Sequence, residues 1–326
     1  MTAPLSSTAN AASVARRRAI RAVVRDTARV CAEHTRLVLA IPDFPASQPG
    51  QFVQVICTDV QQAGNEVCWN VGQFPQVQNP EMHARHAFLC RPFSIGDRFV
   101  DESGVDCITI ISRNIGPGTA WLEQVRVGQH VQLMGPMGVP FVLPSDERIF
   151  VLVGGGVGIP PLLYLARALR EARHANSVVF FGVRNRALLP VPISAEPASD
   201  GTALPCLRLP GDANFPVVVA SDDGSIGVPG TVIDAMNAWQ ARNGINTAHV
   251  QIAACGPDAM LRAVAHHARS WDARCQLCIE RTMGCGSGTC LSCIVRVNDS
   301  AAPQGSRWAL SCSEGPVFDR DVLVGY

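Results

Sequence analysis

Short apolar runs separated by turn residues dominate the first 145 residues of the chain. The runs are rich in Val, Ile and Leu and lie at 37–40, 52–56, 107–111 and 131–134. Gly and Pro separate them, as in Gly135-Pro136-Met137-Gly138. Short strands between turn signals are typical of a barrel or sandwich. We therefore expect an antiparallel β-barrel domain over residues 21–146.

Two segments depart from this pattern. Residues 1–20 are rich in Ala, Ser and Arg, and no acidic residue precedes Asp26. This composition resembles an organelle transit peptide, but we favour a disordered extension. Residues 61–87 are polar and contain scattered Gly, Pro and Asn, which predicts a long loop between strands.

The hydrophobic pattern changes near residue 147. Continuous apolar runs, typical of strands buried on both faces, lie at 149–153, 177–182, 217–220 and 250–254. Segments with helical periodicity follow three of these runs, at 162–170, 235–239 and 259–264. Strands that alternate with helices predict a doubly wound parallel sheet over 147–269. Residues 186–216 contain six prolines and predict an irregular connection.

The most specific motif is a group of cysteines near the C-terminus. Cys285, Cys290 and Cys293 follow the spacing C-x4-C-x2-C, and Cys312 lies further along. This is the ligand pattern of plant-type [2Fe–2S] proteins. Glycines within the loop permit a tight turn around such a group. We expect residues 270–326 to form a small unit that the metal holds together.

A second pattern of cysteines leaves an alternative open. Cys275 and Cys278 form another C-x2-C pair, which together with Cys290 and Cys293 resembles a zinc ribbon. The eleven intervening residues are few for a ribbon, and Cys285 and Cys312 would have no role. We favour strand-associated thiols at 275 and 278.

Composition and charge exclude several functions. The formal net charge is zero, which argues against a nucleic-acid partner. The chain has no Lys, and therefore neither a P-loop lysine nor a Schiff-base lysine. Thirteen Cys without an apolar signal segment indicate metal ligation in a reducing compartment, so we expect a cytoplasmic protein. No apolar run is long enough to predict a membrane span.

Glycine-rich segments at the ends of two predicted strands indicate a nucleotide site. Gly154, Gly155, Gly156 and Gly158 lie between a strand and a helix, where phosphate groups meet helix N-termini. The Cys255-Gly256-Pro257 segment follows another strand and should reach the same sheet edge. Asp222 and Asp223 also follow a strand. They could bind a ribose hydroxyl or cap a turn.

Two motifs in the β-rich part also suggest phosphate binding. The Arg91-Pro92-Phe93-Ser94 segment offers a guanidinium fork and a hydroxyl. The Gly116-Pro117-Gly118-Thr119 segment precedes a short predicted helix whose amides could cradle a phosphate. Each motif is weak alone.

The order of these motifs resembles the ferredoxin–NADP reductase superfamily. Within it, the chain is similar to the electron-transfer subunit of class 1B dihydroorotate dehydrogenase. The matching stretches include 135–138, 222–225, Glu280 with Met283, and 315–319. The likeness covers roughly residues 20–326.

The resemblance implies three cofactors: FAD, NAD(H) and a [2Fe–2S] cluster. It implies FAD contacts at Arg91, Pro92, Phe93, Ser94, Ile111, Ser112, Arg113, Gly118 and Thr119. It implies nucleotide contacts at the glycine loop, Asp222, Asp223 and Cys255, and cluster ligands at Cys285, Cys290, Cys293 and Cys312. It also implies a hetero-oligomer with an FMN-bearing dihydroorotate dehydrogenase catalytic subunit of pyrimidine biosynthesis.

The expected activity is therefore that of an oxidoreductase subunit without a general-base or nucleophile pair of its own, because the cofactors supply the reactivity. Two alternatives remain. One is a related flavo-iron–sulfur reductase that serves a ferredoxin, a hydrogenase or a sulfur-reducing subunit. The other is a zinc-stabilised binding module without redox activity.

Overall fold

A computed structural model of the chain describes residues 18–58, 67–68, 76–77, 89–144 and 148–326. Most of the predicted extension over 1–20 lies outside these residues. The predicted loop over 61–87 also lies outside them, except for two short paired strands, β4 (Val67–Cys68) and β5 (Gln76–Val77).

The first domain contains one antiparallel sheet of seven strands. The strands are β1 (Arg18–Cys31), β2 (His34–Ala40), β3 (Phe52–Ile56), β6 (Arg91–Ser94), β7 (Asp97–Val100), β8 (Asp106–Arg113) and β9 (His130–Met137). Helix α1 (Pro117–Gln124) lies between β8 and β9. The strand order is β6-β3-β9-β1-β2-β8-β7, so the hydrogen-bonded ladder does not close among the described residues. The expected barrel is thus an open antiparallel sheet.

Alternation of apolar residues explains the core of this sheet. Leu37 and Leu39 of β2, with Val53 and Val55 of β3, belong to one buried cluster. Residues two apart in a strand share a face, so the apolar positions gather on one side. Leu122 of α1 is fully buried in the same cluster.

The second sheet has the predicted parallel, doubly wound form. Its strands are β10 (Ile149–Gly155), β11 (Ser177–Val183), β12 (Val217–Ser221), β13 (Val228–Pro229), β14 (Val250–Cys255), β15 (Arg274–Cys278) and β18 (Val317–Asp319). Its helices are α2 (Ile159–Glu171), α3 (Val232–Asn243) and α4 (Asp258–Ser270). The order is β13-β12-β11-β10-β14-β15-β18, and only β18 runs antiparallel to its neighbour. Buried clusters cover both faces of this sheet.

The C-terminal segment is joined to the second sheet at both ends. Strand β15 pairs in parallel with β14, and β18 pairs with β15. Between them lie the cysteine loop and a hairpin of β16 (Ile294–Asn298) and β17 (Ser306–Leu310). The predicted domain boundary at residue 270 therefore precedes a strand of the nucleotide sheet.

The predicted connection over 186–216 is irregular but packed. It contains two short 3₁₀ turns and an isolated bridge between Ile193 and Leu207. Leu189, Cys206 and Phe215 are buried against one face of the second sheet. Apolar anchors therefore fix this proline-rich segment to the core.

A half-buried ion pair connects the two sheets. Arg167 of α2 forms two hydrogen bonds with the carboxylate of Asp97 in β7, the Nη2–Oδ2 distance being 2.9 Å. The Tyr164 hydroxyl of the same helix donates to the Ser47 carbonyl at 2.8 Å. These contacts set the orientation of the two domains.

None of the helices in the described part of the chain is long and apolar enough to cross a membrane.

Candidate cofactor-binding site

A cavity of about 400 Å³ lies at the carboxyl ends of the parallel strands. Gly155, Gly156, Asp222 and Pro257, all predicted nucleotide contacts, line it. Ligands of doubly wound sheets bind outside the carboxyl ends of the strands. The cavity therefore has the place that a nicotinamide nucleotide requires.

The four glycines at the end of β10 and just after it have two different tasks. Gly155 and Gly156 face the cavity, and Gly156 has a φ of +52° that favours glycine. A Cβ would lie 2.2 Å from the Cys255 backbone on Gly158, 2.9 Å from the Phe181 ring on Gly154 and 2.5 Å from the Met260 Sδ on Gly155. Gly154, Gly155 and Gly158 thus permit close packing, whereas the space beside Gly156 is open.

The two predicted acids also differ. Asp222 lines the cavity, while the Asp223 carboxylate accepts a hydrogen bond from the Ser225 amide at 2.9 Å. Asp223 therefore caps its own turn, and Asp222 is the candidate for a ribose contact.

Cys255 is buried beside Cys278, its register partner on β15. The hydrogen bond with Cys278 and burial raise the pKa of the Cys255 thiol well above its usual value. Gly256 follows it, and a Cβ there would lie 2.4 Å from the Met260 Cε. Cys255 and Gly256 thus shape the cavity edge by packing.

Two titratable cavity residues are not among the predicted site residues. His34 of β2 and Arg184, which follows β11, both line the cavity. His34 is 3% exposed, and its Nε2 has no hydrogen-bond partner among the described residues. Its Nδ1 lies 3.0 Å from the Cys31 Sγ. No motif marks either residue, because the pairing of His34 with Arg113 between β2 and β8 is visible only in the structure.

The predicted flavin residues lie on the first sheet. The Arg91–Ser94 segment forms the edge strand β6, and its four residues are half-buried. Arg91 Nη1 donates to the Leu89 carbonyl at 2.9 Å. Ile111, Ser112 and Arg113 end β8, and the Arg113 Nε donates to Glu33 at 2.7 Å.

The hydroxyl groups of two predicted flavin contacts, Thr119 and Ser112, differ in their hydrogen bonding. The Thr119 Oγ1 accepts hydrogen bonds from the Ile115 and Gly116 amides at 3.0 Å, and Gly118 is buried beside it in the first turn of α1. The Ser112 Oγ is buried, and no described residue forms a hydrogen bond with it. An orphaned buried hydroxyl is rare in native proteins unless a ligand completes it, so this residue fits a bound cofactor.

The four predicted cluster ligands form two pairs. The Cys290 amide donates to the Cys285 Sγ at 3.4 Å, and Cys293 and Cys312 lie in one buried cluster, where Cys293 helps to raise the pKa of the Cys312 thiol. Cys290 is exposed and Cys285 half-buried, whereas Cys293 and Cys312 are at most 2% exposed. Each iron of a [2Fe–2S] group takes two thiolates, so two pairs are the arrangement that it needs.

Hydrogen bonds favour the thiolate form of the outer pair. The Ser287 side chain, followed by the Cys290 amide, lowers the pKa of the Cys285 thiol to about 5. The Ser292 side chain lowers the pKa of Cys290. Burial and the neighbouring Cys293 raise the pKa of Cys312 to about 11. Such N–H and O–H donors to sulfur are expected around a metal–thiolate centre.

The described residues contain no group of three or more His, Cys, Asp or Glu side chains arranged to hold a metal ion. Cys275 and Cys278 are buried within β15, as expected of strand-associated thiols.

The inner cysteines pack directly on the flavin-side sheet. Phe52 of β3, Met137 of β9 and Met283 form a buried cluster with Cys293 and Cys312. The thiol loop, the first sheet and the nucleotide cavity together define an electron-transfer reductase with a C-terminal iron–sulfur segment.

Comparison with known proteins identifies the family. Residues 280–324 match the model of the iron–sulfur cluster binding domain of dihydroorotate dehydrogenase B. The dihydroorotate dehydrogenase B (NAD⁺) electron transfer subunit of Geobacillus thermodenitrificans is 35% identical over 78% of this chain and 86% of its own length. That of Desulforamulus reducens is 31% identical over 76% and 84%, respectively. The chain belongs to this family of electron transfer subunits.

Solved structures show the same fold. The NADH-dependent reduced ferredoxin–NADP oxidoreductase has a TM-score of 0.66 at 20% identity, over 93% of this chain and 89% of that one. A ferredoxin reductase of carbazole 1,9a-dioxygenase has a TM-score of 0.56 at 20% identity, over 79% and 67%. These likenesses confirm the expected ferredoxin-reductase fold.

Proposed function

We propose that this protein is the electron transfer subunit of a dihydroorotate dehydrogenase, and that it passes electrons between a nicotinamide nucleotide and an FMN-bearing catalytic subunit of pyrimidine biosynthesis. One observation carries the proposal. The four-cysteine loop lies against the flavin-side sheet and is anchored at both ends in the nucleotide sheet. Bound FAD would exchange hydride with nicotinamide, and the cluster would carry single electrons.

The residues of the chain position the cofactors. We assign the nucleotide to Gly155, Gly156, Asp222 and Pro257, where the turn exposes amides near the N-terminus of α2. Gly154, Gly158, Asp223, Cys255 and Gly256 support this site through packing and turn formation.

For FAD, we assign the strand Arg91–Ser94, the end of β8 at residues 111–113, and the α1 start at Gly118 and Thr119. The unpartnered Ser112 hydroxyl supports this placement.

For the cluster, we assign the thiolates of Cys285, Cys290, Cys293 and Cys312. The two-pair arrangement and the sulfur-directed donors support this assignment. We retain the division into domains at 21–146, 147–269 and 270–326 as part of the proposal. A reducing cytoplasm suits a chain with thirteen Cys.

The test is an anaerobic visible spectrum of purified protein with flavin, iron and sulfide quantified, before and after addition of NADH or NADPH. We expect one FAD, two irons and two sulfides per chain, all of which one of the two nucleotides reduces. A colourless protein that contains zinc would contradict the proposal.

A second experiment identifies the acceptor. We expect copurification with an FMN-bearing subunit that oxidises dihydroorotate. Reduction of a ferredoxin, a hydrogenase or a sulfur-reducing subunit, without any such partner, would favour the related-reductase alternative.

A further inference from the structure

A buried amide lies between the first sheet and the cysteine loop. The Gln54 side chain of β3 is fully buried, and neither its Nε2 nor its Oε1 has a hydrogen-bond partner among the described residues. Native proteins rarely leave both ends of a buried amide unsatisfied, because each end loses its bonds to water without replacement. Gln54 therefore requires a partner that the described part of the chain does not supply.

The strand pattern gives the direction of this side chain. Val53 and Val55 point into the core of the first sheet. Successive side chains of a strand point to opposite faces, so Phe52 and Gln54 share the other face. Phe52 on that face packs with Cys293 and Cys312. Gln54 is thus directed toward the cysteine loop.

A direct contact confirms this direction. Gly286, between the ligand Cys285 and Ser287, has a φ of +69°. A Cβ at this position would lie 2.6 Å from the Gln54 Cγ and 2.7 Å from its Nε2. The amide therefore lies against the backbone of the loop, at the position next to a cluster ligand.

On its own sheet, Gln54 lies opposite Pro92 of the strand assigned to the flavin. Its amide thus lies between the strand assigned to the flavin and the loop assigned to the cluster. Both groups offer acceptors, but the Nε2 end is the one that contacts the cysteine loop.

We propose that the Gln54 Nε2 donates a hydrogen bond to a sulfur of the bound [2Fe–2S] group and thereby raises its reduction potential. This inference rests on the proposed function. Reduction adds negative charge to the sulfurs, and a donor aimed at them stabilises the reduced form more than the oxidised form. The bond would also satisfy the Nε2 end of the amide.

The test compares two variants of the full-length protein. Gln54→Met keeps the length of the side chain but removes the donor. We expect the cluster midpoint potential to fall by the equivalent of about a tenfold change in the one-electron equilibrium constant, about 59 mV. Flavin potential, iron content and sulfide content should remain those of the wild type.

Gln51→Met is the matched control at the start of the same strand. Its Nε2 already donates to the Gly138 carbonyl at 2.9 Å, and its Oε1 accepts from the Gln48 amide at 2.9 Å. We expect no change in the cluster potential for this variant. An unchanged potential in Gln54→Met, or a shift of the flavin potential alone, would overturn the inference.

A measurement on the wild type covers the case in which Gln54→Met fails to assemble. With ¹⁵N in the glutamine side chains, pulsed EPR of the reduced cluster should detect coupling to an amide nitrogen. Absence of that coupling overturns the inference while the cluster itself remains. Absence of iron and sulfide from the wild type would instead contradict the proposed function.

Discussion

Two buried polar side chains that lack partners among the described residues lie at the proposed ligand surfaces of this protein. Ser112 and His34 each leave one polar atom unsatisfied, on the flavin side and in the nucleotide cavity, respectively. A group that is completed only by a ligand weakens the free protein and strengthens the complex. Substitution at such a residue should therefore have opposite effects on folding and on binding.

Ser112→Ala is expected to weaken FAD binding about 5- to 10-fold, which corresponds to the loss of one hydrogen bond. The free energy of unfolding of the flavin-free protein should not fall, because the hydroxyl has no partner there. Fluorescence titration of deflavinated protein and urea unfolding measure the two effects. The control is Ser221→Ala, whose Oγ donates to the Ile226 carbonyl at 2.7 Å. It should lose stability and keep its FAD affinity.

His34 should make stability depend on pH. Burial, followed by the charge of Arg113, lowers the pKa of His34 below its usual value of about 6.5. The unfolded chain then binds more protons, so the stabilisation is complete above about pH 6.5 and is lost as the pH falls toward the folded-state pKa. The free energy of unfolding, measured in urea, should differ less between about pH 7.5 and about pH 5.5 in His34→Gln than in the wild type. The exposed His249→Gln should behave like the wild type, and equal differences in all three proteins would refute this prediction.

At the scale of elements, one ion pair fixes helix α2 against strand β7. The side chains of Arg167 and Asp97 are 19% and 11% exposed, so each depends on the other for its hydrogen bonds. The hydrogen bond to Asp97 also raises the pKa of Arg167. The orientation of the two domains around the cavity therefore depends on a charged contact.

Asp97→Ala should lower the free energy of unfolding by about 3 kcal/mol, because it leaves a half-buried guanidinium without its main partner. Chemical denaturation of the single variants Asp97→Ala and Arg167→Leu and of the double variant Asp97→Ala/Arg167→Leu measures the effect. The double variant should recover at least part of the loss, since it no longer buries an unpaired charge. A double variant as unstable as the sum of both single variants would show that the pair is not coupled.

The sequence was most informative for elements whose pattern is local. Continuous apolar runs predicted β10, β11, β12 and β14, and periodicity predicted α2, α3 and α4. The sequence did not reveal that β15 extends the nucleotide sheet, because pairing between distant strands leaves no local pattern.

Only those parts of the candidate site that carry a specific sequence motif could be predicted. The spacing of Cys285, Cys290, Cys293 and Cys312 was sufficient for a cluster prediction. The role of Gln54 could not be predicted, because a polar residue between Val53 and Val55 is equally typical of a strand with one solvent-exposed face. Its burial under the cysteine loop is a tertiary contact that composition does not encode.

At the scale of the whole molecule, the residues proposed to bind the nucleotide differ from those proposed to pass electrons to a partner. The residues that line the nucleotide cavity include neither the exposed Cys290 nor any other proposed cluster ligand. Loss of the cluster should therefore leave the first reaction intact.

Cys290→Ser should lose the cluster while NADH-driven reduction of the bound flavin stays within about twofold of the wild type, because its contacts are unchanged. Stopped-flow absorbance of the flavin and iron analysis measure the two properties. Electron delivery to the partner subunit should fall at least about 100-fold. Cys206→Ala, a buried thiol in the proline-rich connection, should retain iron and electron delivery. Loss of flavin reduction together with iron in Cys290→Ser would contradict the separation.

The insertion of the cysteine loop between β15 and β18 has a consequence for how fast electrons travel. Both ends of the loop are hydrogen bonded into a sheet whose strands also form the floor of the nucleotide cavity. A redox centre anchored in this way is not carried by a mobile domain. The distance over which its electrons tunnel is therefore fixed before substrate binds. The turnover rate should then depend on substrate exchange and driving force, and not on the viscosity of the solvent.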